Sequence, residues 1–152
     1  MVSLKNHIFT RNGIKPLMDL DIESDQTLTH KLRWRNFDSD IKVNSFNEYY
    51  SLTTRSRRQP VFLAPNALVF SKGEWVKISD LKVKDTVSYN YTMSAVEQTR
   101  FKPRFDVSHG DDAIFEIIIN GLDLINEKMD FINFRVKGEN SYCVDGLVLG
   151  GF

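Results

Sequence analysis

Turn-forming dipeptides recur along this chain, with short β-branched and aromatic segments between them: Asn12-Gly13, Pro65-Asn66, Lys72-Gly73, Asn120-Gly121, Lys137-Gly138 and Asp145-Gly146. Asn-Gly and Asp-Gly favour tight hairpins because both central residues tolerate positive φ. The intervening segments predict strands over residues 7–10, 26–29, 61–63, 67–70, 75–78, 86–91, 115–119, 131–136, 142–144 and 147–149. So many short strands at close spacing indicate an all-β fold. Two stretches resist this pattern. Leu122, Ile125 and Met129 recur at intervals of three and four, which suits one or two helical turns. Ile41, Val43, Phe46 and Tyr50 follow neither period, and Arg55-Ser56-Arg57-Arg58 before Gln59-Pro60 reads as an exposed loop.

Length and composition bound the rest. A chain of 152 residues with no low-complexity linker is expected to be one domain over 1–152, long enough to bury a proper core. Hydrophobic residues at 41% and charged ones at 26% are globular rather than disordered proportions. Lys plus Arg equals Asp plus Glu at 20 each, so no long-range field draws the chain to nucleic acid or an acidic membrane. A lone cysteine, Cys143, excludes an internal disulfide. Residues 1–7 lack the apolar stretch of a signal peptide. The best apolar run, Ala113-Ile114-Phe115-Glu116-Ile117-Ile118-Ile119, is strand-length, against the roughly 20 residues of a membrane helix. The expectation is a soluble protein, cytoplasmic or part of a virion, not exported by a signal peptide and needing no cofactor.

One internal echo adds topology. Residues 15–25 and 75–85 each run from a turn through an apolar-x-Asp-Leu step (Leu17-Met18-Asp19-Leu20 and Ile78-Ser79-Asp80-Leu81) to a further acid, Asp25 or Asp85, and then into a strand. This predicts a duplicated supersecondary unit and a pseudo-two-fold β fold.

The segment Thr10-Arg11-Asn12-Gly13-Ile14-Lys15-Pro16-Leu17-Met18-Asp19-Leu20, ending in Asp25, resembles the opening block of Hint domains, the fold shared by inteins and hedgehog autoprocessing domains. There the family has a strand, a Gly turn, Lys-Pro-Ile, Asp-Ile and Gly-Asp. Val61-Phe62-Leu63-Ala64-Pro65-Asn66-Ala67, with Gly73-Glu74-Trp75-Val76 and Asp80-Leu81, is similar to the second block, which reads Thr-Pro-x-His, Gly-x-Trp-Val and Gly-Asp. Phe134-Arg135-Val136-Lys137-Gly138-Glu139-Asn140-Ser141-Tyr142, running on through Val144-Asp145-Gly146-Leu147-Val148-Leu149, resembles the closing blocks, a buried strand followed by His-Asn. The order of the blocks and the total length are those of a minimal intein without a homing endonuclease. The resemblance implies a compact horseshoe or disc of many short strands.

It also implies which residues would act. The family attacks the preceding carbonyl with a first-position thiol or hydroxyl, and a second-block histidine protonates the departing amide nitrogen. A terminal Asn then cyclises, helped by the His before it. On this chain the nucleophile position falls on Met1, the Thr and His on Ala64 and Ala67, and the His-Asn pair on Gly150 and Gly151. None of these can do the chemistry. A shift of two residues would offer Ser3 as nucleophile, still without an acid at Ala67. Ser24-Asp25 and Lys84-Asp85 stand where the family has Gly-Asp. With no flanking polypeptide in the chain, the expectation is that there is nothing to splice.

Other residues are read blandly. Cys143, between Tyr142 and Val144, suits a small buried hydrophobe better than a nucleophile. His7, His30 and His109 form no metal doublet. Ser108-His109 with Asp111 and Asp112 has the letters of a triad, but in one turn their side chains diverge. Asp19, Asp21, Glu23 and Asp25 lack the Gly and closing Glu of a calcium loop and read as a solvated strand edge. Arg33, Trp34 and Arg35, with Arg55, Arg57 and Arg58, form a candidate surface patch, Trp34 packing and the arginines facing solvent or a protein partner. Nucleic acid is the lesser reading of that patch at zero net charge. The leading expectation is a non-enzymatic structural or binding module on an inactive Hint-like frame. Its partners would be other protein subunits of a larger assembly, such as a phage capsid, neck or tail. The alternatives are residual self-processing through Ser3 or Cys143, and a nucleic-acid accessory role.

Overall fold

The computed structural model describes residues 1–55, 57–91 and 113–151. They form fourteen strands: β1 (Val2–Ser3), β2 (His7–Thr10), β3 (Gly13–Pro16), β4 (Gln26–Leu28), β5 (Trp34–Phe46), β6 (Tyr49–Thr54), β7 (Arg57–Leu63), β8 (Leu68–Ser71), β9 (Glu74–Lys77), β10 (Thr86–Tyr91), β11 (Ala113–Ile125), β12 (Met129–Val136), β13 (Ser141–Val144) and β14 (Leu147–Gly150). All are antiparallel, in the order β10-β11-β6-β7-β1-β12-β5-β4-β2-β13-β14-β8-β9, with β3 on β2. β10 also pairs β14 through Tyr89↔Leu147, so the ladder closes into a circuit. The fold is all-β. No helix among the described residues is long and apolar enough to cross a membrane.

The hairpin signals act as their chemistry dictates. Lys72 and Gly73 join β8 to β9 with φ of 50° and 79°, and Asp145 and Gly146 join β13 to β14 with φ of 51° and 91°. Gly146 has a second reason to lack a side chain: a Cβ there would lie 1.9 Å from the Tyr89 ring. Asn120-Gly121 is different. It lies inside β11 at a bulge, where the register opposite β6 slips between Ile119↔Thr54 and Gly121↔Thr53. A Cβ on Gly121 would fall 2.6 Å from the Thr53 hydroxyl, so glycine lets two strands pass rather than turning the chain.

Three further expectations are corrected. The expected helical turns at Leu122, Ile125 and Met129 are the end of β11 and the start of β12, and the helical spacing is coincidental: Leu122 faces Leu52 and Met129 faces Phe46 across ladders. The stretch without a period contains the second half of β5 and the start of β6. Residues 39–45 are exposed on both faces, so no apolar alternation was required of them. The supposed loop at Arg57-Arg58-Gln59-Pro60 belongs to β7, whose ladder to β6 runs from Thr54↔Arg57 to Tyr50↔Leu63.

The echo is real in three dimensions. Each copy ends a hairpin in one 3-10 turn, Leu17–Asp19 or Ile78–Asp80, whose first residue is buried. Each then leads through a short strand into one of the two 13-residue strands, β5 or β11.

Candidate functional site

The positions matched to the family are scattered over the sequence but meet in space. The Ala64 amide donates to the Met1 carbonyl at 3.0 Å, and the Ala67 amide donates to the Ala64 carbonyl at 3.0 Å. Met1, Gly150 and Gly151 share the wall of one cavity of about 160 Å³ with Asn66, Leu68 and Asn133. Antiparallel pairing of β1 with both β7 and β12 delivers Met1, and the β13–β14 hairpin delivers the two glycines.

What stands at these positions is apolar or absent. Met1 is buried with Tyr49, Ala64 and Phe131, flanked by Phe46 and Phe62. The rings of Tyr49 and Phe131 lie 5.8 Å apart, and those of Tyr49 and Phe62 5.6 Å apart. This nest solvates a thioether well and would solvate a thiolate or hydroxyl badly. Burial pushes the Met1 α-amine down to about 5. Ala67 belongs to the main core. The polar groups of the cavity wall are carboxamides and backbone, and Asn133 accepts a 2.7 Å hydrogen bond from the buried Tyr142 hydroxyl. Sequence reading missed Asn133. Its signal was a lone amide inside the apolar run Phe131-Ile132-Asn133-Phe134.

The carboxyl-side positions are short of room for a side chain. The Gly151 amide donates to the Asn140 carbonyl at 2.8 Å. A Cβ on Gly151 would lie 2.1 Å from Asn140 Oδ1 and 2.6 Å from the Phe134 backbone oxygen. At Gly150 the space is tight rather than closed, 3.2 Å to Leu68 Cβ and 3.4 Å to the Trp75 ring.

The other candidates fall apart from this cavity or into structural roles. Ser3 is buried in β1 and its Oγ accepts the Lys5 amide at 3.2 Å. Cys143 is fully buried in β13, and burial pushes its thiol up, away from the reactive thiolate. Among the described residues, His7 and His30 included, no three His, Cys, Asp or Glu groups gather as a metal site. His109, with Ser108, Asp111 and Asp112, lies outside the described residues. The acidic run is not a solvated strand edge throughout: Asp25 is buried, and both its oxygens take the Lys15 ammonium at 2.9 Å. Asp19, Asp21 and Glu23 are exposed in the turns before it.

The arginine patch divides in the same way. Trp34 packs against the Phe9, Leu28 and Cys143 cluster. Arg33 and Arg35 turn to the shielded Glu139 carboxylate at 3.2 and 3.6 Å. Burial opposes that charge, but the Thr29 hydroxyl and the two guanidiniums outweigh it and hold the carboxyl below its usual range. Arg55 is exposed at the β6–β7 turn and Arg57 and Arg58 open β7, with β1 and β12 standing between β7 and β5 in the sheet. The two basic runs therefore stand on strands that are not adjacent in the sheet.

No family model matches the chain, and no curated protein sequence does. Solved structures do. A variant of the Ssp DnaB mini-intein covers 99% of this chain and 98% of its own, with a TM-score of 0.73 at 14% identity. The DnaX mini-intein from Spirulina platensis covers 99% and 98%, with a TM-score of 0.73 at 10% identity. The gp41-1 intein covers 99% and 97%, with a TM-score of 0.68 at 12% identity. Matched nearly end to end by mini-inteins, the chain has the Hint-type fold of an intein without an endonuclease insert.

Proposed function

We propose that this Hint-fold chain does not process itself and acts through its surface, as a structural or binding subunit of a larger protein assembly such as a phage virion. The observation that carries the reading is at Gly151. A cyclising Asn needs a side chain there, yet the first carbon of one would sit 2.6 Å from a backbone oxygen of β12. The nucleophile position agrees, since Met1 fills an aromatic nest. Neither alternative nucleophile is favoured: Ser3 and Cys143 are both buried, and Cys143 has its thiol held protonated. To test the reading, short tags are fused to both ends and the intact mass is followed over days. One unchanged mass is expected, and a mass matching loss of either tag would overturn it.

A further inference from the structure

The turn between β4 and β5 carries a histidine that ties distant parts of the molecule together. Its backbone is tight: the Thr29 amide donates to the Arg33 carbonyl and the Leu32 amide to the Thr29 carbonyl, both at 2.9 Å, with Leu32 at φ 59°. The turn presents half-buried His30 to the start of β13. Its amide donates to Ser141 Oγ at 2.9 Å, and Nδ1 of its ring lies 2.7 Å from the same oxygen. The ring also packs on the β8–β9 hairpin, its centroid 5.3 Å from those of Phe70 and Trp75, which stand 4.9 Å apart. Trp75 in turn covers Gly150, where a Cβ would lie 3.4 Å from its ring. Asn140, the residue before Ser141, accepts the Gly151 amide at 2.8 Å. His30 therefore reaches the end of β14 by two routes.

Proton counting fixes the state of this ring. Ser141 is fully buried, and among the described residues its hydroxyl has two partners, the His30 amide and the His30 ring. The amide takes a lone pair, so the one hydroxyl proton goes to Nδ1, and the ring carries its own proton on Nε2. Protonating Nδ1 turns the oxygen into a double acceptor and strands the hydroxyl proton in a buried place. We infer that His30 is an acid-sensitive latch, holding the β8–β9 hairpin and the end of β14 while neutral and loosening both when it takes up a proton. Burial lowers its pKa, against the pull of the Glu139 carboxylate and with the help of Lys31. Glu139 is already shared between Arg33 and Arg35. β8, β10, β13 and β14 carry no charged side chain, and β9 brings exposed Glu74 and Lys77. With the folded pKa below the ordinary 6.5, the latch is fully held above that pH and is lost as the pH falls through the folded value. It does not depend on whether the chain processes itself.

A nuclear magnetic resonance titration of the intact chain between about pH 8 and pH 5 tests it, following the His30 ring carbons, the Trp75 indole and the Gly151 amide. All three are expected to titrate together, with a midpoint below that of a free histidine. Protection of the Gly151 amide from exchange, corrected for its intrinsic pH dependence, should fall about threefold or more across the range. Ser141→Ala, checked for native circular dichroism, should raise the His30 midpoint, because Nδ1 loses the donor that favours the neutral ring. His30→Gln, checked in the same way, should abolish the Trp75 and Gly151 responses. Four outcomes would overturn the inference: a His30 ring that titrates as a free histidine does, Trp75 and Gly151 signals unmoved while it titrates, a midpoint unchanged in Ser141→Ala, or responses that survive in His30→Gln.

Discussion

The two copies of the internal echo use the same backbone bonds and opposite side chains. In the first, the Asn6 amide donates to the Ser3 carbonyl, the Leu17 amide to Asn6, and the Leu20 amide to Leu17. In the second, the Ala67 amide donates to Ala64, the Ile78 amide to Ala67, and the Leu81 amide to Ile78, at the same spacings. Even the following carboxylates correspond, Asp25 accepting from the Asp21 amide and Asp85 from the Lys82 amide. Yet Asn6 is a buried polar hub, donating to Asp145 Oδ2 at 2.8 Å and to the Pro60 carbonyl at 3.2 Å, and accepting from the Phe62 amide at 3.1 Å. Its counterpart Ala67 offers a methyl group to the core. The same main-chain bonds form whether the twin position carries Asn6 or Ala67. That is how a Hint fold can persist where the family's Thr and His positions read Ala64 and Ala67.

The comparison predicts unequal costs. Asn6→Ala removes the side-chain donor to the Asp145 carboxylate and the Pro60 carbonyl and the acceptor of the Phe62 amide, and should lower unfolding free energy by about 3 kcal/mol in a urea titration. A cost below that of Ala67→Gly would break the contrast. Gly151→Asn should cost about 2 kcal/mol by overpacking against the Phe134 carbonyl. Gly150→Ala, whose neighbours stand at 3.2 and 3.4 Å, should stay within about 0.5 kcal/mol, which sharpens the distinction between closed and merely tight.

The buried Met1 amine supplies a pH test. Its folded pKa of about 5 lies below the ordinary 8.0, so between those values the unfolded chain binds a proton that the folded chain does not. Stability is greatest above pH 8 and falls as the pH drops toward 5, by about 2 kcal/mol between pH 8 and pH 6. Burial lowers the His30 pKa too, which adds in the same direction. Acetylating the amine should remove most of the slope, and a slope unchanged by acetylation would place its source elsewhere. Ala67→Gly should cost about 1 kcal/mol, for one buried methyl and a looser backbone.

Much of this fold was legible because turns state their conformation chemically. Lys72-Gly73 and Asp145-Gly146 need positive φ, and the strands around them followed to within a residue or two. Asn120-Gly121 misled because the same permissive residues also serve a bulge, where the requirement is close approach to Thr53. β5 was illegible for the opposite reason: with residues 39–45 solvated on both faces, nothing imposed a period on them. The carboxyl-side site was visible as Gly150-Gly151, but its closure was not, since it depends on Asn140 and Phe134, brought in by the Val136–Asn140 turn. Glu139 was likewise invisible as the reason Arg33 and Arg35 gather, because the ion pairs span about a hundred residues of chain.

The proposed absence of self-processing requires that no acyl shift takes place in this frame. The most direct measurement exposes the doubly tagged chain to neutral hydroxylamine, which cuts esters and thioesters but leaves ordinary amides, and reads the intact mass. A chain with an apolar side chain at the nucleophile position forms no ester, so a single uncut mass is predicted. Release of either tag at its junction would show that an ester forms, and would contradict the account.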